Sequence, residues 1–228
     1  SDWNLAREAT LSSGLSANTP AYDVQQACGT SLETAILVGH KIALGQIEAG
    51  IAGGTDTNSD LPFVFKKRFN HKMLATYKAK KLTGKRKPWL KFRPKDLLPE
   101  APGVVEPRTG LSMGQSCEKM AQTWGVSRQE QDELAFNSHK KAVEAYESGF
   151  YEDLLTEYKG LKKDSLPRKD TTLEKMAKLK PVFERSEKGT LTTGNSSALT
   201  DGSAAVLLAS EEFAKKNERP ILAYLTER

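Results

Sequence analysis

The chemistry that this sequence can support begins at Cys28. In the stretch VQQACGTSLETAILVGH, the thiol stands between an extended, glutamine-bearing segment and an apolar run with helical spacing. At such a strand-to-helix junction, unpaired amides and the helix macrodipole favour the nucleophilic thiolate, and the same amides can hold an oxyanion. Gly29 leaves room for a ligand to approach the backbone. A free cysteine is also commonly buried as a small hydrophobe, and residue type alone leaves both readings open. Cys117 falls on an apolar helical stripe with Met113, Met120, Ala121 and Trp124, so it reads as a core residue. His40, His71 and His139 read as surface or packing histidines. Neither cysteine has metal-ligand spacing, and no metal site is expected.

The elements that must position these residues follow from periodicity. DWNLAREATLSSGL predicts a short helix closed by Gly14, since glycine tolerates the left-handed conformation that ends many helices. AYDVQQA predicts a strand, SLETAILVGHKIALG a helix, and IEAGIAGGTDT a buried strand ending in a Gly-Gly turn. Together they predict a strand, helix, strand unit from about Ala21 to Gly54, and hence a parallel sheet with a right-handed crossover. Ser112 to Trp124 predicts a helix that packs its apolar stripe on a core and is closed by Gly125. Ser127 with Glu130 has capping-box spacing and opens a second helix that runs to Gly149. From Tyr151 to Lys188 the chain is charged and irregular apart from a helical piece around TLEKMAKL, and AAVLLAS reads as a strand after a turn-rich stretch.

The chain has 228 residues, of which 38% are hydrophobic and 28% charged, as expected for a soluble globular protein. No apolar run approaches the roughly 20 residues of a membrane span, and the opening lacks the basic and apolar regions of a signal peptide. Two distant cysteines make no disulfide framework, which points to a reducing compartment. The net charge of +5 is uneven: 13 of the 34 basic residues lie between Lys66 and Lys95 with no acidic residue among them. The remainder carries 21 basic against 29 acidic residues, a net −8, so an anionic partner is expected at that segment.

Four ordered blocks, VQQACGTSLETAI, AGGTDTNSD, LSMGQSCEKMA and TLEKMAKLKPVFERSEKGTLTTGNSSALTDGSAAVLL, resemble the thiolases across nearly the whole chain. The basic insertion followed by RPKDLLPEAPGVVEPRTGLSMG is most similar to the thiolase subunit of the fatty-acid oxidation multienzyme complex, the bacterial counterpart of the trifunctional-protein beta subunit. The resemblance implies an α/β thiolase fold, its first half with an inserted loop domain and its second half absent. Residues 1–60 would be part of the N-terminal half, 61–189 the loop domain with the basic insertion, and 190–228 a return to the N-terminal half. It implies that Cys28 is the nucleophile that takes the acyl group as a thioester. Ser197 would contact the pantetheine arm of coenzyme A, and Met113 would line the acyl pocket. On residue type alone, Ser197 reads as a turn residue and Met113 as a core residue.

The departures from the family pattern are specific. Ser112 stands where many thiolases have histidine, a residue the long-chain subfamily also lacks, and Asp56 stands where the Gly-Gly block usually carries Glu. The Asn-Glu motif, the histidine of Gly-His-Pro and the second cysteine of Cys-x-Gly have no match. The N-terminal side also looks truncated, so the chain reads as a fragment of a longer enzyme. The implied reaction is thiolytic cleavage of a 3-ketoacyl-CoA to acetyl-CoA and a shortened acyl-CoA, with coenzyme A as substrate and no permanently bound cofactor. Implied partners are a second copy in a homodimer and a hydratase/dehydrogenase subunit, in the bacterial cytoplasm or in mitochondria. A biosynthetic acetyl-CoA acetyltransferase is the alternative enzyme. The alternative class is a basic module in which Phe65, Phe69, Tyr77, Trp89 and Phe92 interleave with the cations to bind nucleic acid or an anionic membrane. No nucleic-acid motif is present, so membrane or subunit contact is the expected secondary role.

Overall fold

The structure, a computed structural model, describes residues 4–90, 92–100 and 103–226. Asp2 and Trp3 of the expected first helix, and Lys91 of the basic segment, lie outside the described residues. In chain order the elements are α1 (Leu5–Ser12), α2 (Thr30–Ala43), β1 (Ala49–Asp56), β2 (Val64–Phe65), α3 (Lys67–Lys78), α4 (Leu82–Arg86), β3 (Pro99–Glu100), α5 (Met113–Trp124), α6 (Arg128–Glu147), α7 (Leu173–Ala177), β4 (Gly202–Ala209) and α8 (Glu211–Lys216). Short 3-10 turns lie at Lys87–Trp89 and Pro94–Leu97. The chain divides into two units, one of Ser1–Ser59 with Thr200–Arg228 and one of Asp60–Leu199.

In the first unit, β1 and β4 form an antiparallel ladder from Ala49 opposite Ala209 to Asp56 opposite Gly202. Successive residues of a strand point to opposite faces, so Gly50, Ala52 and Gly54 share one. That face is nearly flat and α2 lies against it. A Cβ on Gly50 would sit 2.8 Å from Val38 Cγ1, one on Gly54 would run into Ser31 Oγ, and Ala52 between them is buried. Ser31 and Val38 are two helical turns apart, about 10 Å, which fits the roughly 13 Å spanned by four strand residues. The expected Gly-Gly turn is therefore strand, because glycine here clears space for a helix. The packing also puts the start of α2 beside the C-terminal end of β1.

The expected strand at Ala21–Ala27 does not form. Asp23 there accepts from Leu5 N and Ala6 N, both at 2.9 Å, at the start of α1, and Arg7 donates to Thr19 O at 2.8 Å and Ala17 O at 2.7 Å. The extended segment thus satisfies helix ends and finds no ladder partner among the described residues, so the predicted parallel unit gives way to the antiparallel β1–β4 ladder. Gly14, with φ +78°, follows the cap of α1 as its residue type predicts.

In the second unit, both α5 and α6 open with complete capping boxes, Ser112 with Gln115 and Ser127 with Glu130. Gly125 closes α5 in the left-handed conformation. Most of the expected core stripe of α5 is exposed: Met113 is 77% and Trp124 72% exposed, Cys117 and Met120 are also exposed, while Ala121 is buried as expected and Glu118 is 2% exposed. The buried face is Gly114, Glu118 and Ala121. Small residues let the helix approach closely, and the Phe183 ring occupies the space a Cβ on Gly114 would need. In the basic segment, Phe65, Phe69, Trp89 and Phe92 form a chain of rings with successive centroids 4.9, 5.9 and 5.6 Å apart. Trp89 Nε1 donates to Thr76 Oγ1 at 2.7 Å, and Lys72 Nζ donates to Pro88 O at 2.8 Å. These aromatic residues stack on one another, as packing residues do, while Tyr77 stays 87% exposed.

Candidate active site

Cys28 lies at a tight elbow ahead of α2. Gln26 N donates to Thr30 Oγ1 at 2.8 Å, and that hydroxyl donates onward to Ala27 O at 2.7 Å. Gly29 N donates to Gln26 O at 3.0 Å. Ala27 takes φ +46°, a left-handed conformation that costs a residue with a Cβ and is held only where surrounding bonds enforce it. The outcome is an exposed Cys28 thiol, which removes the buried-hydrophobe reading. Gly29 caps α2 without a side-chain hydrogen bond, so the N-cap residue itself leaves the amides of the first turn uncovered.

The ladder end beside this elbow is tied down by Asp201. Its carboxylate accepts from Asn58 N at 2.6 Å, from Ser59 N at 2.9 Å and from the Ser59 hydroxyl, and Thr55 Oγ1 donates to Gly202 O at 3.1 Å. The Ser59 side-chain hydrogen bond, followed by the Ser59 and Asn58 amides, holds the Asp201 carboxyl below the usual carboxylate range. Asp56 is the last residue of β1 and is exposed.

Met113 and Ser197 both belong to the second unit. Met113 is the first residue of α5, and its exposure leaves it free to line a ligand surface. Ser112, where many thiolases have histidine, is the N-cap: its Oγ accepts from Gln115 N at 3.2 Å, and Gln115 Oε1 accepts from Ser112 N at 2.9 Å. Ser197 is exposed on the loop that follows a dense polar network. Glu118 Oε1 accepts from Thr190 N and Thr190 Oγ1, both at 2.7 Å, and Oε2 accepts from Leu191 N at 3.0 Å. Asn195 Oδ1 accepts from Thr192 N at 2.7 Å, and Asn195 Nδ2 donates to Asp132 Oδ1 at 2.9 Å. Asp132 in turn accepts from Arg128 Nε at 2.8 Å, and Thr192 is fully buried. Residue patterning missed Glu118, Asp132 and Asn195. The available signal was Gly114, Glu118 and Ala121 at helical spacing, a polar residue between two small ones.

His40 is not placed as a base for Cys28. His40 lies ten residues beyond the start of α2, about 15 Å along the axis. His71 and His139 belong to the other unit, and His139 Nδ1 accepts from Arg168 N at 3.4 Å. Among the described residues no group of three or more His, Cys, Asp or Glu could hold a metal ion, and no helix is long and apolar enough to cross a membrane.

An exposed cysteine at a strained turn into a helix, beside the end of a glycine-rich strand, is an arrangement for covalent acyl transfer. Residues 1–212 match the thiolase N-terminal domain, and the chain belongs to the thiolase family. A 3-ketoacyl-CoA thiolase of Pectobacterium carotovorum is 46% identical over 97% of this chain and 52% of its own length. Acetyl-CoA acetyltransferase from Bacillus anthracis superposes with a TM-score of 0.74 at 29% identity, covering 96% of this chain and 52% of that one. Human mitochondrial 3-ketoacyl-CoA thiolase in complex with CoA superposes at 0.72 with 27% identity, covering 94% and 50%. The chain therefore has the α/β thiolase fold of the first half, and it spans about half the length of the curated relatives it matches.

Proposed function

We propose that this chain is the nucleophile-bearing half of a 3-ketoacyl-CoA thiolase working in fatty-acid β-oxidation. The observation that carries the reading is Cys28, held exposed by the Ala27 turn and the Thr30 hydrogen bonds in a chain of this family. The Cys28 thiolate adds to the 3-keto carbonyl of the substrate. Collapse of the adduct breaks the bond between C2 and C3, leaving the acyl group on sulfur, and the departing acetyl-CoA enolate takes a proton. The thiol of a second coenzyme A then loses its proton and attacks the Cys28 thioester, which regenerates the thiolate. The acid and base for these steps come from the rest of the polypeptide, since the histidine of Gly-His-Pro and the second cysteine of Cys-x-Gly have no match in this chain. Met113 lines the acyl pocket and Ser197 meets the pantetheine arm.

The name and identity of the Pectobacterium relative favour the degradative direction over the acetyltransferase alternative, which the Bacillus neighbour represents. Residues 1–60 and 190–228 belong to the N-terminal half and 61–189 to the loop domain, a division close to the two compact units. The whole enzyme works as a homodimer alongside a hydratase/dehydrogenase subunit, in the bacterial cytoplasm or in mitochondria. The basic segment supports a docking role: Lys67, Arg68, His71, Lys72 and Lys87 line one open cleft together with Leu90, whose apolar side chain is exposed. In the full-length protein, Cys28→Ala should abolish thiolysis of a 3-ketoacyl-CoA. Turnover that survives this substitution contradicts the proposal.

A further inference from the structure

We propose that Glu118 is a positioning residue that sets the Ser197 loop for the pantetheine arm of coenzyme A; the inference rests on the reading in which Ser197 meets that arm. Glu118 is the most buried residue of α5, and its carboxylate takes three donors from two consecutive residues, Thr190 and Leu191. A carboxylate taken out of water is costly unless its oxygens are satisfied, and one that is satisfied by backbone N–H groups fixes both distance and direction. α5 meanwhile leaves Met113 and Trp124 in solvent. The helix is thus held by its polar contact with the loop together with Ala121 and the Phe183 ring against Gly114, while Met113 and Trp124 of its apolar stripe stay exposed.

From Leu191 the constraint passes to Ser197 through a stiff stretch. Thr192 Oγ1 accepts from Gly194 N at 3.2 Å and Asn195 N at 3.3 Å, so residues 192–195 close on themselves. Asn195 Nδ2 donates to Thr190 O at 3.1 Å as well as to Asp132, which fastens the far end of the turn back to the residue Glu118 holds. A Cβ on Gly194 would lie 2.5 Å from Leu179 Cδ1, so the turn is packed from that side too. Glu118 therefore couples the helix that begins at Met113 to the loop that presents Ser197.

The test uses the full-length protein with Glu118→Gln and Thr190→Val. Glutamine keeps the size of the side chain but turns an NH2 toward groups that donate, whereas valine removes a single donor. Glu118→Gln should raise the KM for CoA about tenfold, the equivalent of about 1.4 kcal/mol. The kcat per active site, titrated by the acyl-enzyme burst, should stay within about twofold, and iodoacetamide should alkylate Cys28 at the wild-type rate. Thr190→Val should raise the same KM about threefold, as expected for one hydrogen bond, and decides the matter alone if Glu118→Gln does not fold. Wild-type KM values with fewer titratable sites or a lower Tm would mean that Glu118 only stabilises the fold, and would overturn the proposal. A wild-type protein that forms no acyl-enzyme on Cys28 would instead remove the thiolase reading beneath it.

Discussion

At the scale of single residues, the account depends on three neighbours: Ala27, Cys28 and Thr30. The Thr30 hydroxyl accepts on one side and donates on the other, so it closes the turn that forces Ala27 left-handed and pushes the thiol outward. Thr30→Val should open that turn and slow acylation of Cys28 by about ten- to a hundredfold, because misplacing a reacting group by about 1 Å costs this much. Rapid-quench measurement of the acyl-enzyme would show it, and an unchanged acylation rate would count against the elbow. Cys28 was singled out by the resemblance of VQQACGTSLETAI to the thiolases, since residue type and position alone left a buried packing role open. The left-handed Ala27 was not, since alanine carries no signal for that conformation. Glu118 escaped because the neighbouring apolar stripe of Met113, Cys117, Met120, Ala121 and Trp124 drew the core assignment, although all of it but Ala121 lies in solvent.

Among the elements, α2, α5, α6, α7, β1 and β4 follow the spacing of their residues, and the Ser127 and Glu130 capping box appears as its spacing requires. Partners and faces were harder to read. β1 pairs with a strand about 150 residues away, a relation no local pattern encodes, and α5 turns a polar residue inward. Substitutions on these elements have distinct consequences. Gly53→Ala would place a Cβ 2.7 Å from Ala204 O, a backbone atom that cannot swing aside, and should cost about 1–3 kcal/mol in denaturant unfolding. Ser112→Ala removes the Oγ that caps α5 and should cost about 1 kcal/mol in the same measurement. Asp201 adds a pH dependence. Its carboxyl is held lower in the folded state, so its contribution is present above the ordinary value of 3.8 and is lost as the pH falls through the lowered one. Thermal melts should therefore show a smaller loss of Tm on acidification in Asp201→Asn than in the wild type, and equal losses would deny Asp201 this role.

For the whole molecule, charge and covalent chemistry separate. The 13 cations between Lys66 and Lys95 lie in the second unit, whereas Cys28 lies in the first. Neutralising Lys85, Arg86 and Lys87 together in the full-length protein should weaken binding to anionic vesicles or to the partner subunit, most visibly at low salt, since the Debye length is about 8 Å at physiological ionic strength. Thiolysis of a short soluble substrate should stay nearly unchanged in that variant, and its loss with binding intact would assign the segment to the coenzyme A site. On the proposed reading, in which the acid and base lie in the rest of a longer polypeptide, residues 1–228 expressed alone should show no thiolysis above background. Turnover by that piece would return a catalytic role to His40, His71 or His139. The central claim is that the acyl group passes through Cys28. Its most direct test is to quench the full-length protein within one turnover of a 3-ketoacyl-CoA and to map the modified peptide by mass spectrometry. The account predicts a thioester of the shortened acyl chain on the peptide containing Cys28 and none on that containing Cys117. An adduct on any other residue, or turnover without an adduct on Cys28, would contradict it.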